Sequence, residues 1–163
     1  MGGLGLSVQE CSVVYGTLGV LMLVLGGVAG GVLASRFGIR RMLWPMLIFM
    51  NLPNLAYVAL AHFQPEASSP CVYAAVMAEQ LGYGFGFTAY MLVILKYVAD
   101  AEYKAAEYAI ATSLMSVSLL LPGMPAGWIL YACGSYETFF VIASVATIPG
   151  MVAAAFLRLP DGQ

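Results

Sequence analysis

Charged side chains are scarce in this sequence. Only 9% of its 163 residues are Asp, Glu, Lys or Arg, and the formal net charge is −2. Soluble globular domains carry about 25% charged residues. Six basic residues provide no patch for nucleic acid, and eight acidic residues form no acidic tail. The composition therefore excludes an ordinary soluble domain and predicts no nucleic-acid partner.

Residues that carry metal or catalytic chemistry are also few. The three cysteines, Cys11, Cys71 and Cys133, form neither a CxxC pair nor a metal-ligand spacing, and His62 is the only histidine. The sequence contains no nucleophile with an adjacent base and no phosphate-binding loop. It therefore predicts no metal site, no cofactor and no enzyme, and it predicts an interfacial or hydrogen-bonded role for His62.

Apolar residues, in contrast, are abundant. They make up 62% of the chain, and the mean hydropathy is +0.91. A helix needs about 20 apolar residues to cross a hydrocarbon core of about 30 Å. Five segments of the chain 1–163 meet this requirement: 8–34, 42–61, 71–98, 105–132 and 138–157. The sequence therefore predicts an all-α integral membrane protein with five transmembrane helices that form a partial helical bundle.

The third segment carries a carboxyl group at membrane depth. Glu79 and Gln80 lie about a turn inside the apolar stretch 75–97, where a carboxylate costs a few kcal/mol. At about 100° per residue, Glu79 falls on one helical stripe with Tyr83 and Tyr90. We expect this helix to line a substrate path, with Glu79 binding a proton or substrate. The alternative is that Glu79 makes a hydrogen bond that fixes two helices together.

Prolines and asparagines alternate in the second segment. Pro45 and Pro53 each remove a backbone donor from the predicted helix. Asn51 and Asn54 are predicted either to contact substrate or to hydrogen-bond the disturbed backbone.

Proline and glycine also predict interruptions in the last two segments. The sequence PGMPAG in the fourth segment contains Pro122, Gly123 and Pro125, which we interpret as a kink with a gating role. Pro149 and Gly150 predict a kink in the fifth segment.

Glycines recur at helical spacing in the first segment. Gly16, Gly19, Gly26 and Gly30 fall on one smooth face, which predicts close packing against another helix.

Basic residues all fall on one predicted side of the membrane. They lie in the first connection, predicted as a short loop at 35–41, around the third connection, and after the last segment: Arg36, Arg40, Arg41, Lys96, Lys104 and Arg158. The positive-inside rule makes this side cytoplasmic. We therefore expect an N-terminus outside and a C-terminus in the cytoplasm.

Four stretches resemble a known transporter family. The stretch GVLASRFGIRRML resembles the loop signature G-x-L-x-D-R-x-G-R-R of the major facilitator superfamily. Ser35 stands where that signature has aspartate, and the matching residues are Gly31, Leu33, Arg36, Gly38, Arg40 and Arg41. The runs EQLGYGFGFTAYM, AEYAIATSLM and LPGMPAGWI are similar to the tenth and eleventh helices of its muropeptide permease (AmpG-like) branch.

The resemblance implies a twelve-helix carrier of which this chain supplies helices eight to twelve. It also implies proton-coupled import (symport) of anhydromuropeptide-like cell-wall fragments by alternating access across the bacterial inner membrane. The implied partners are the lipid bilayer, a small-molecule substrate and the N-terminal helical bundle of the same carrier. Two alternatives stay open: a non-transporting accessory or sensor subunit, and an inactive truncated product.

Overall fold

A computed structural model of the chain describes residues 8–63, 69–99, 101–121 and 123–156. Within these ranges the chain consists of helices joined by turns, without a strand. Three features of the sequence prediction lie outside the described residues: Pro122 of the gating kink, Arg158, and the last residue of the fifth predicted segment.

The helices follow one another with short connections. In chain order they are α1 (Val8–Val13), a π-helical segment (Val14–Gly19), α2 (Val20–Phe37), α3 (Ile39–Phe63), α4 (Pro70–Val98), α5 (Lys104–Leu120), α6 (Gly123–Cys133), α7 (Tyr136–Ala146) and α8 (Ile148–Ala155). Among the described residues, five stretches are long and apolar enough to cross a membrane: Val14–Phe37, Ile39–Phe63, Pro70–Val98, Lys104–Cys133 and Tyr136–Ala155. The prediction of an all-α chain with five spans is confirmed.

The arginine-rich connection is almost entirely helical, and the prediction of a loop there is wrong. α2 continues to Phe37, α3 begins at Ile39, and only Gly38 separates them. Gly38 has a φ of 79°, a left-handed conformation that favours glycine because it has no Cβ. One glycine thus replaces the loop, so Arg36 lies in the last turn of α2 and Arg40 in the first turn of α3.

The first three spans assemble around α4, on which both α2 and α3 pack. The contact between α2 and α4 depends on glycine in both helices. A Cβ placed on Gly26 would overlap the carbonyl oxygen of Leu81, and one placed on Gly84 would overlap that of Leu23. Small residues allow transmembrane helices to approach this closely. The predicted packing role is confirmed at Gly26, whereas Gly16 faces open space.

A glycine of α4 also fits against a proline of α3. α3 remains helical through both Pro45 and Pro53. Because Pro53 has no N–H, the carbonyl oxygen of Phe49 loses its usual helical donor. Gly82 covers this oxygen so closely that a Cβ placed there would lie 2.6 Å from it. The bare backbone of Gly82 is therefore what allows α4 to lie against this part of α3.

Both of the last two spans are interrupted. α5 ends at Leu120 and α6 begins at Gly123, as the PGMPAG sequence predicts. The fifth span breaks at Thr147, just before the predicted kink, because Pro149 occupies the first turn of α8, where proline is well tolerated. None of the described side chains of α5 to α8 is buried.

Candidate functional site

The carboxyl group of Glu79 is held by a tyrosine of the neighbouring span. The hydroxyl of Tyr57 in α3 donates a hydrogen bond to Oε2 of Glu79 in α4. The hydroxyl of Tyr15, in the π-helical segment, lies 3.2 Å from the hydroxyl of Tyr57. Three membrane-length helices therefore each contribute one polar side chain to the same place.

Apolar groups surround Tyr57 in this cluster, whereas Tyr15 is 38% exposed. Tyr57 is only 6% exposed and belongs to a buried group with Leu60, Val72 and Ala75. A polar atom in such surroundings costs free energy unless it is hydrogen-bonded, and a bond to a carboxylate is among the stronger kinds. The pairing with Tyr57 thus explains how Glu79 is accommodated inside a transmembrane helix.

Neither tyrosine of this cluster is among the site residues predicted from the sequence. Glu79 has no evident cationic partner in the sequence, but the structure supplies a neutral donor, the phenol of Tyr57. A tyrosine inside an apolar span needs a hydrogen-bond partner for its hydroxyl, and this requirement was the signal available for Tyr57. The observed bond is also the interhelical hydrogen bond that formed the alternative interpretation of Glu79.

Asn51 and Tyr90 come together at a second place, a cavity of about 210 Å³ between α3, α4 and the α7–α8 junction. Its lining residues are Leu47, Met50, Asn51, Tyr90, Ala146, Thr147, Gly150 and Met151. The side-chain amide of Asn51 donates to the carbonyl oxygen of Leu47 at 2.8 Å. This bond uses one of the two amide hydrogens and leaves the amide oxygen as a further acceptor.

The other predicted site residues have different neighbours. The side chain of Gln80 lies against Gly19 of the π-helical segment. The ring of Tyr83 stacks on that of Phe87, with centroids 6.0 Å apart, and Asn54 is half-buried in α3. Glu79, Tyr83 and Tyr90 of the predicted stripe thus have different neighbours, which are Tyr57, Phe87 and the cavity beside Asn51.

The signature residues surround the turn between α2 and α3. Arg36, Arg40 and Arg41 are exposed there. Gly31 and Gly38 line a cavity of about 390 Å³, together with Ala34, Ser35, Ile39, Leu92 and Lys96.

The gating kink has two described members, Gly123 and Pro125, both exposed in the first turn of α6. Pro125 also lines an apolar cavity of about 320 Å³ between α6 and α7. A gating role for this break stays a prediction.

Metal-binding chemistry is not indicated by the described part of the chain. There, no three His, Cys, Asp or Glu side chains cluster in a way that could hold a metal ion. Cys71 and Cys133 are free thiols.

Comparison with known proteins shows similarity to permeases. Over 156 residues the chain is 29% identical to the anhydromuropeptide permease of Escherichia coli K12, a match that covers 96% of the chain and 31% of that protein. It is 23% identical over 154 residues to a protein of Rickettsia felis provisionally named as an AmpG transporter, covering 94% of the chain and 37% of that protein. The chain thus spans about a third of the length of the curated relatives it matches.

An uncharacterized protein of Haemophilus influenzae is 27% identical over 154 residues, which are 91% of the chain and 36% of that protein. No protein-family model matches the chain, and no solved structure matches it at a significant level. The resemblance predicted from the motifs is confirmed: over 96% of its length the chain is similar to an anhydromuropeptide permease, and over 94% to a protein named as an AmpG transporter.

Proposed function

We propose that the chain is part of a secondary active transporter that imports muropeptide-like cell-wall fragments together with protons. The relative from E. coli is named for anhydromuropeptides, and similarity to it extends over 96% of this chain. The five membrane-length helices support a role within a lipid bilayer.

The hydrogen bond between Tyr57 and Glu79 is the observation that carries this proposal. A carboxyl group removed from water can exist in either charge state when a hydrogen-bond donor stabilises the ionised form. Glu79 meets this condition, because it lies among apolar helices and accepts a bond from Tyr57. In this proposal, Glu79 binds and releases the transported proton.

The cavity beside Asn51 is the proposed contact with the substrate. A sugar-peptide fragment offers hydroxyl and amide groups, which pair with amide and hydroxyl side chains. Asn51 and Tyr90 supply such groups at the cavity of about 210 Å³, and the ring of Tyr90 adds a surface for a sugar. Gln80, Tyr83 and Asn54 are the further substrate contacts of the proposal.

A second helical bundle of the same carrier is the proposed partner. No described side chain of α5 to α8 is buried, although large apolar residues such as Leu114, Trp128 and Val145 are present. Lipid covers part of this surface, and we propose that the other bundle covers the rest. The break at Gly123 and Pro125 would then gate the path between the bundles.

The proposed orientation follows from the basic residues. The arginines at the α2–α3 turn, together with Lys96 and Lys104 around the α4–α5 turn, favour a cytoplasmic location for these turns. The chain would thus be a multi-pass protein of the bacterial inner membrane, with its N-terminus outside and its C-terminus in the cytoplasm.

Uptake into proteoliposomes tests the proposal. The chain would be reconstituted alone, or together with the part of the E. coli permease that it does not match, and uptake of a radiolabelled anhydromuropeptide would be followed under an imposed proton gradient. We expect gradient-driven uptake that Glu79→Gln abolishes. Glu107→Gln, which changes an exposed glutamate in the first turn of α5, is the matched control and should leave uptake intact.

Two results would contradict the proposal. Undiminished uptake by Glu79→Gln would remove this residue from proton coupling. If the folded protein transports in neither of the two reconstitutions, a non-transporting membrane component would be favoured.

A further inference from the structure

We propose that Tyr57 couples the proton on Glu79 to the packing of α7 against α3. This inference rests on the proposed function, because it takes Glu79 as the group that gains and loses the proton. It adds a positioning residue through which that proton changes the arrangement of the helices.

The two ends of the Tyr57 side chain contact two different helices. Its hydroxyl donates to Glu79 in α4, and its ring stacks on that of Phe140 in α7, with centroids 5.3 Å apart and planes inclined by 14°. Since Tyr57 is 6% exposed, little free space surrounds it. Movement of the hydroxyl away from Glu79 therefore also moves the ring that supports α7.

A second pair joins α3 and α7 near their ends. Nδ1 of His62 lies 3.2 Å from Oε1 of Glu137, and both side chains are largely exposed, at 63% and 49%. His62 follows Tyr57 along α3, and Glu137 precedes Phe140 by one turn of α7. We refer to the Tyr57–Phe140 stack and the His62–Glu137 pair together as the α3–α7 contact.

Protonation of Glu79 changes what Tyr57 can bind. An ionised carboxylate only accepts hydrogen bonds, and the bond from the phenol is then charge-assisted. When a proton binds to Glu79, the charge is lost and the bond weakens, while the carboxylic acid gains an O–H of its own. The hydroxyl of Tyr57 already contacts that of Tyr15 at 3.2 Å, which is longer than the usual O–H···O distance of about 2.7–2.8 Å. Once released from Glu79, it can donate to Tyr15 and move toward it. The ring shifts with it, and α7 loosens from α3.

Other titratable groups lie near Glu79, and their effects on the pH dependence must be distinguished from that of Glu79. Tyr57 bonds to Glu79 from α3, and Tyr15 of the π-helical segment contacts Tyr57. His62 and Glu137 lie at the end of the α3–α7 contact. Replacing both His62 and Glu137 with cysteine removes the two outer groups and also creates a reporter of the distance between α3 and α7.

Disulfide cross-linking of this cysteine pair tests the inference. The full chain carrying His62→Cys and Glu137→Cys would be reconstituted in liposomes. Its native cysteines would be changed to serine: Cys11, Cys71 and Cys133. The rate of oxidative cross-linking would be measured as a function of pH. Every rate would be divided by that of the same protein carrying Glu79→Gln, which cancels the pH dependence of the thiols. We expect the ratio to fall several-fold as the pH is lowered.

Three further variants distinguish the possible outcomes. Tyr57→Phe keeps the ring but lacks the hydroxyl, and it should remove the pH dependence. Phe140→Leu should remove it too, because it breaks the stack while leaving the bond to Glu79. Tyr131→Phe, at a tyrosine that is 87% exposed, should retain it.

Each contrary result has a separate meaning. Full pH dependence in Tyr57→Phe or in Phe140→Leu would overturn the inference and leave the proposed function standing. If the cross-linking rate divided by that of the Glu79→Gln protein does not change with pH, the result would count against Glu79 as the proton site. It would thus count against both proposals. No cross-link at any pH would overturn the α3–α7 contact itself.

Discussion

Gly26 in α2 and Leu81 in α4 meet through their backbones. A Cβ on Gly26 would overlap the carbonyl oxygen of Leu81 and would lie 3.0 Å from the amide nitrogen of Phe85. Gly30, one turn further along α2, lies against the carbonyl oxygen of Phe85 in the same way. This backbone contact fixes the distance between α2 and α4, and α4 is the helix that carries Glu79.

Gly26→Ala should therefore destabilise the protein. The added methyl has no space, and overpacking of a tight contact costs roughly 1–3 kcal/mol. Gly31→Ala is the matched control in the same helix, because a Cβ there meets nothing within 4 Å. We expect the control to be neutral or slightly stabilising. Thermal unfolding in detergent measures both changes, and equal transition temperatures would contradict the packing assignment.

Thr88 contributes a polar contact between the same two helices. Its hydroxyl lies 3.1 Å from the carbonyl oxygen of Gly27 in α2 and 3.0 Å from that of Gly84 in its own helix. Thr88→Val should cost about 0.6 kcal/mol, the average for interhelical side-chain hydrogen bonds in a membrane protein.

Thr112→Val provides the comparison for this prediction. The hydroxyl of Thr112 bonds only to carbonyl oxygens of α5 itself, at 2.8 and 3.1 Å. Its replacement should change the unfolding midpoint in denaturing detergent less than Thr88→Val does. A larger effect at Thr112 would show that the contact with Gly27 contributes nothing to stability.

Tyr57 and Glu79 should be energetically coupled. A double-mutant cycle built from Tyr57→Phe and Glu79→Ala isolates the interaction between the two side chains. We expect a favourable coupling of about 0.6–1.7 kcal/mol, the average to maximum range for hydrogen bonds between transmembrane helices. The same cycle with Glu107→Ala in place of Glu79→Ala should be additive, since Glu107 lies on the exposed α5. A zero coupling for Tyr57 with Glu79 would be incompatible with the observed bond.

Filling the cavity beside Asn51 should block transport without unfolding the protein. Gly150 lines this cavity, and a Cβ there meets nothing within 4 Å, so Gly150→Leu is a substitution that places a larger side chain at the cavity wall. Uptake in the reconstituted carrier should fall while the unfolding temperature stays unchanged. Gly16→Leu adds the same side chain to the π-helical segment, at a glycine that is also unobstructed, and uptake should continue. Normal uptake by Gly150→Leu would exclude this cavity from the substrate path.

Several features of the fold could be predicted because they depend on local properties of the chain. Hydrophobic length alone indicates the five spans. The pair Pro122–Gly123 marks the end of α5, and the glycine spacing of α2 indicates its packing face. The loop predicted around Gly38 is not present, because a single left-handed glycine can replace a loop of several residues.

The candidate site depended on relationships that no single segment contains. Glu79 stands out in the sequence because a carboxyl group in an apolar transmembrane helix has a free-energy cost and is therefore rare. Its partner Tyr57 does not stand out, because their meeting depends on how far α3 is shifted along α4. Tertiary packing sets that shift, through Gly82 against Phe49 and Gly86 against the side chain of Met50. The sequence by itself thus determined the membrane-spanning helices and the acidic residue, whereas only the tertiary structure decided which hydroxyl the acid would bind.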